Sequence, residues 1–166
     1  MEGTDVFDSN VWILALTESS AEAETLLDEV LGDDRRVAVS AYVFVEVLEA
    51  FARELDLGER IDAYQTAFAA IVADSPSIDG PTQERVERTD LDTVRSSAET
   101  KFMTRILSIQ AKDVRIVLLA WDHYDDSPTV FTTDRSFAEF DSEQHDLDRI
   151  SLKRVDPDVC YHQRRV

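Results

Sequence analysis

At 166 residues and 43% hydrophobic content, the chain fits one domain able to bury most of its apolar surface, and no run approaches the roughly 20 apolar residues that a bilayer span requires. Its 35 Asp and Glu against 17 Lys and Arg give a net charge of −18, which at low ionic strength repels nucleic acid and by itself argues against a nucleic-acid enzyme. At molar salt the Debye length falls to roughly 3 Å, so distant carboxylates stop mattering; a surface this acidic, with Lys101, Lys112 and Lys153 as its only lysines, resembles the halophilic type found in salt-accumulating cells.

The opening Met1-Glu2-Gly3-Thr4-Asp5 has neither a basic region nor a long apolar run, so the chain reads as soluble and cytoplasmic. Val6-Phe7 reads as a buried strand ending at Asp8, followed by a helix from Val11 to Leu16. Ser19 or Ser20 caps the next helix, with apolar positions at Ala23, Leu26, Leu27, Val30 and Leu31, and Gly32 stops it. Val37-Ala38-Val39 is a second strand. Ser40 then caps a helix to about Leu55, and after Gly58 another from about Ile61 to Val72 completes a helical hairpin.

The charged stretch from Pro81 to Gln110 is expected to hold one or two helices. Asp113 opens an apolar helix over Val114 to Trp121, Asp125-Asp126-Ser127-Pro128 turns, and Thr129-Val130-Phe131-Thr132 is a strand. Phe137 begins a short helix, and Arg149 to Val155 alternates as a last strand. Strands separated by helices imply an α/β fold with a largely parallel sheet over residues 1–155. Residues 156–166 read as a mobile tail, and the lone Cys160, with only His162 near it, falls short of a zinc site and is read as inert.

Four carboxylates stand where this outline would put apolar or strand-terminal residues. Asp8 and Asp134 follow strands, and carboxyl ends of parallel strands open onto the ligand crevice, although capping and turn roles also suit them. Glu46 lies in a helical turn, Tyr42-Val43-Phe44-Val45 before it and Val47-Leu48 after it, that is apolar all round; a buried carboxylate is costly unless paired or metal-bound. Asp113 begins its helix, where a cap or a dipole partner is equally apt. Such a group of oxygen ligands suits Mg²⁺ or Mn²⁺, and two ions about 3.5 to 4 Å apart can activate water and stabilise the leaving oxygen of a phosphodiester without a His or Cys nucleophile.

These residues resemble the PIN-domain family, which includes the VapC-type toxins. Val6-Phe7-Asp8-Ser9-Asn10-Val11 is similar to its opening motif, with Ser9 in place of the commoner Thr; Val39-Ser40 with the helix carrying Glu46-Val47-Leu48 is similar to the second. Asp113 with Ala120 resembles the third motif, and Val130-Phe131-Thr132-Thr133-Asp134-Arg135-Ser136-Phe137 the fourth, which is the most specific. The resemblance implies a three-layer α/β/α fold, Mg²⁺ or Mn²⁺ held by Asp8, Glu46, Asp113 and Asp134, support from Ser9, from Asn10 orienting Asp8 and from the Thr132 hydroxyl, and cleavage of RNA. It also implies frequent homodimers and, for toxins, an antitoxin partner.

Two other phosphate-handling classes fit less well. A haloacid-dehalogenase-like phosphatase needs an acid where Asn10 stands, and a receiver domain needs an adjacent acidic pair and a strand-end lysine. A non-catalytic PIN-like binding module and an RNA-processing nuclease unrelated to toxins are the remaining alternatives. For RNA contact, Lys101, Arg105, Lys112 and Arg115 would fall within roughly an 80° arc if they shared one helix, a stripe that a break near Gln110 to Asp113 would destroy; pairing with acids such as Glu99 is the plainer alternative, with Arg35 and Arg36 as another track.

Overall fold

The structure, a computed structural model, describes residues 3–53 and 60–158. Among these, β1 (Thr4–Phe7), β2 (Arg36–Ala38), β3 (Ile78–Asp79), β4 (Thr129–Thr132) and β5 (Ser151–Arg154) make one sheet in the order β3-β2-β1-β4-β5. All four pairings are parallel, so each connection crosses the sheet through a helical segment. The chain moves outward from β1 through β2 to β3, then returns to the far side of β1 for β4 and moves outward again to β5. Because such crossovers are right-handed, the reversal puts the helices of the two arms on opposite faces, giving the three-layer α/β/α architecture. The reversal lies between β1 and β4, and the crevice beyond their carboxyl ends is where sheets of this kind bind ligands.

Local signals account for most elements of the first arm. α1 (Ser9–Leu16) starts directly after β1, and α2 (Ala21–Leu31) is capped by Ser20, whose Oγ accepts from the Ala23 N–H at 3.3 Å, and closed by Gly32. Ser40 Oγ accepts from the Val43 N–H at 3.2 Å at the start of α3 (Ala41–Arg53). α4 (Ile61–Asp74) packs back on α3 as expected, with Phe44 stacked on Phe68 at 5.3 Å and Phe51 on Tyr64 at 5.4 Å between ring centroids. The expected end of α3 near Leu55, and Gly58, fall outside the described residues. Fully buried Trp12 joins this hairpin to the sheet, meeting Phe68 edge-on at 5.4 Å and Phe7 at 5.2 Å. Each such aromatic contributes about 2 to 3 kcal/mol by burial.

The second half departs further from the sequence expectations. The Pro81 to Gln110 stretch folds as three helices, α5 (Gln83–Glu87), α6 (Leu91–Ser96) and α7 (Ala98–Leu107), and β3 precedes them unanticipated. Polar caps from Thr82, Asp90 and Ser97 start one short helix after another. α7 ends at Ser108, whose φ of 55° is left-handed, and α8 (Ala111–Asp122) begins anew. α9 (Arg135–Ala138) links β4 to β5. Gly3 is required by a close approach, since a Cβ there would collide with the Asp126 carbonyl. Among the described residues no helix is long and apolar enough to cross a membrane.

The expected mobile tail is tied down where it begins. Ser20 Oγ donates to the Asp156 carbonyl at 2.7 Å, the Asp158 N–H donates to the Ser19 carbonyl at 2.9 Å, and Asp158 Oδ1 accepts from the Ala21 N–H at 3.3 Å. The remainder of that segment, with Cys160 and His162, lies outside the described residues. Ser20 is fully buried and serves as both cap and tether. Ser20→Ala is therefore expected to cost about 1 to 2 kcal/mol, read as a lowered denaturant midpoint at constant m-value.

Candidate metal centre

Asp8 and Asp134 leave the two strands that flank the reversal, and one hydroxyl joins them. Fully buried Thr132 donates from Oγ1 to Asp8 Oδ2 at 2.9 Å and accepts the Asp134 N–H at 3.1 Å. Pairing of Phe7 with Phe131, and the bond from the Asp8 N–H to the Phe131 carbonyl at 2.9 Å, fix this register. Asp8 Oδ1 takes the Ser9 N–H at 2.7 Å. A capping side chain ordinarily reaches the second or third helical N–H, so Asp8 is only partly used as a cap. The orienting role expected of Asn10 is carried instead by Ser9 and Thr132; Asn10 is exposed at the rim of the cleft.

The helical layers bring the other two acids from opposite faces. Glu46 on α3 is 7% exposed and its Oε1 accepts from Arg95 Nη2 at 2.6 Å, while Arg95 Nε donates to the Tyr42 hydroxyl at 2.9 Å. Asp113 on α8 is 3% exposed and is not used as a cap, since Gln110 holds that position. Asp134 is more open and already engaged: Oδ1 caps α9 through the Phe137 N–H at 3.1 Å, and Oδ2 accepts from Lys112 Nζ at 2.9 Å. A cleft of about 410 Å³ opens beside Asp8 and Glu46, lined also by Ser9, Asn10, Ala50, Arg53, Arg95 and Lys112; Asp113 and Asp134 are not among its lining residues.

Electrostatics couple all four. Burial pushes the carboxyl groups of Asp8 and Glu46 up, and in Glu46 the charge of Asp8 adds to the rise while Ser9 and Arg95 oppose it. Asp113 is pushed up to about 7, first by burial and then by Asp8, Asp134 and Glu46, with Lys112 opposing. The Lys112 hydrogen bond, by contrast, holds Asp134 low. Burial is the first cause that raises all three of these acids, and their donors are hard oxygens, which fits a divalent cation in kind. As the side chains stand, no three His, Cys, Asp or Glu groups among the described residues are disposed to hold a metal; Glu46 is paired with Arg95 and Asp134 with Lys112.

The proposed basic stripe loses its geometric basis. Lys101 and Arg105 lie on α7, Lys112 and Arg115 on α8, and the left-handed Ser108 between them ends the common face. Arg115 pairs with Glu99 at 3.2 Å, the plainer alternative, whereas Lys112 turns into the acid cleft. Arg35 is bound by Asp5 and Glu29 next to the start of β2, at the amino ends of the parallel strands, opposite the carboxyl ends that Asp8 and Asp134 follow. Arg53, Arg95 and Tyr42 were not anticipated; Tyr42 and Arg53 stand four before and seven after Glu46 on the same helix, a spacing that marks them as neighbours of that face.

No protein-family model and no curated protein matches this chain. Among solved structures, a chain from the crystal structure of VapBC2 from Rickettsia felis, bound to a DNA fragment from their promoter, superposes with a TM-score of 0.53 at 14% identity, over 92% of this chain and 99% of that one. At that identity the likeness is one of fold.

Proposed function

We propose that the chain is a Mg²⁺- or Mn²⁺-dependent endoribonuclease, with the carboxylates of Asp8, Glu46, Asp113 and Asp134 as the cation's ligands. What supports this reading is the electrostatic coupling of Asp113 to Asp8, Asp134 and Glu46 near the reversal of strand order, where Asp113 is pushed up to about 7, first by burial and then by those charges. A bound divalent ion would supply a Lewis acid and an acidified water at the phosphodiester. The chain's own part is to hold Asp8 by Ser9 and Thr132, to exclude bulk water from Asp113 by burial, and to offer Arg53, Arg95 and Lys112 at the mouth of the cleft toward an anionic strand. Those three cations give an acidic protein a local basic contact, which is what matters once salt screens the rest of its surface.

The fold shared with a VapBC2 chain, together with the four motifs, supports the narrower reading as the toxin of a toxin–antitoxin pair, acting as a homodimer and restrained by an antitoxin. The purified chain is expected to cut single-stranded RNA internally when Mg²⁺ or Mn²⁺ is added, at low and at molar salt, and to stop on chelation. RNA that is bound yet stays intact with either metal would favour a non-catalytic binding module. Activity should rise with pH through the range near 7 where Asp113 loses its proton, because only the ionised form is a ligand.

A further inference from the structure

Lys101 and Arg105 make no ion pair among the described residues, on a chain whose acids outnumber its bases by 35 to 17. Their neighbours Arg95, Lys112 and Arg115 each hold a carboxylate. The two share the outward side of α7 with Phe102, 64% exposed, and Ile106, 48% exposed; at about 100° per residue the four fall within about a 140° arc. Large apolar groups left in water beside unpaired cations suit an acidic surface with apolar side chains of its own. α2 offers one. There Leu31 is 52% exposed, with Asp28 and Glu24 three and seven residues before it, within about a 60° arc, and neither acid makes an ion pair among the described residues. The two helices carry three of the four large apolar side chains that the described residues expose. The fourth, Trp121, packs on Tyr124 at 4.8 Å between ring centres and has buried Val117 and Val114, not acids, in the turns before it.

The face of α7 does not suit itself. Packed antiparallel about a two-fold axis, Lys101 and Arg105 of one copy meet the same two residues of the other; packed parallel, they need Glu99, which Arg115 already holds at 3.2 Å. Lys101 and Arg105 are four residues apart, as are Glu24 and Asp28, so both charge pairs can form at once between α7 and α2. We propose that α7 of one copy of this chain docks on α2 of a second, with Lys101 and Arg105 against Glu24 and Asp28, and Phe102 and Ile106 against Leu31. α2 and α7 belong to opposite helical layers, so each copy offers both faces and the contact repeats head to tail. Salt favours it. Copies carrying a charge of −18 repel at low ionic strength, whereas at molar salt the Debye length of roughly 3 Å leaves only direct contacts, and apolar burial is not screened.

The test is sedimentation velocity of the full chain, without metal or RNA, at low and at molar KCl over rising protein concentration. At molar KCl the mass of the wild type should grow past two copies, and at low salt it should fall back. Lys101→Glu with Arg105→Glu, and separately Glu24→Lys with Asp28→Lys, are each expected to weaken association at least about tenfold, and mixing the two variants should restore it, because each reversed face then meets its complement. The α2 variant also lowers the net negative charge, so relief of general repulsion would make it associate more, not less. Phe102→Ser should weaken association without a charge change, and thermal melting checks that every variant is folded. A wild type that stays a single copy at molar KCl overturns the contact, as does a mixture that fails to restore it. A species that stops at two copies and is the same in all variants gives the assembly to another face. Unchanged mass with loss of RNA binding in Lys101→Glu, Arg105→Glu gives the α7 face to RNA instead.

Discussion

Asp8→Asn is expected to lower metal-dependent RNA cleavage by at least about a thousandfold, equivalent to about 4 kcal/mol of lost transition-state stabilisation, without unfolding the protein. The two halves of that expectation have separate causes. Asparagine keeps the volume and an oxygen for the Ser9 N–H, and the Thr132 hydroxyl can rotate to accept from the new amide while still accepting the Asp134 N–H. The charge that disappears is one that burial already opposes, so the fold does not depend on it. What would be lost, on the proposed reading, is a charged ligand at the strand-order reversal that water could replace only as a neutral oxygen. Cleavage and thermal melting should be measured on the same preparation. A variant that melts like the wild type and cuts RNA at the wild-type rate with added Mn²⁺ removes Asp8 from the ligand set.

The acids stood out in the sequence by position, Glu46 most of all, since capping and turn roles suit Asp8, Asp113 and Asp134 as well. Asp8 and Asp134 follow short apolar strands, and Glu46 interrupts a helix turn that is otherwise apolar, where burying a carboxylate without a partner is costly. The parallel sheet was legible for a related reason, since strands such as Val6-Phe7 and Val130-Phe131 are apolar on both faces. The cations were not. Arg95 meets Glu46 across 49 residues of sequence, from a helix of six residues that is too short to show a period. A break before the Asp113 helix was legible, but its place at Ser108 was not, because no Gly or Pro accompanies that left-handed turn. β3, with two residues between turn signals, carries too little pattern to be seen, although its pairing through Val37 and Ile78 completes the sheet edge.

Asp113→Asn is expected to stabilise the metal-free protein while abolishing its activity. In the fold, Asp113 is pushed from its ordinary 3.8 up to about 7, with burial as the first cause and the charges of Asp8, Asp134 and Glu46 behind it. The sign follows from proton counting. Between pH 4 and 7 the folded carboxyl keeps a proton that the unfolded one has released, so the unfolded state binds fewer protons and stability falls as pH rises across that window. Above it the full penalty applies, on the order of 4 kcal/mol from this group alone. Asparagine never ionises, and its absence of charge also eases Asp8 and Glu46. At pH 8 without divalent metal the variant should melt about 8 to 16 °C above the wild type, with the gap closing as pH falls toward 4. Saturating Mn²⁺ should narrow the gap at pH 8 from the other side, since it stabilises only the chain that can bind it through a carboxylate at this position. Melting curves across pH, with and without Mn²⁺, decide the matter. Equal melting temperatures at pH 8 without metal would show that Asp113 carries no unrelieved buried charge, and the convergence on which the metal centre rests would lose its electrostatic support.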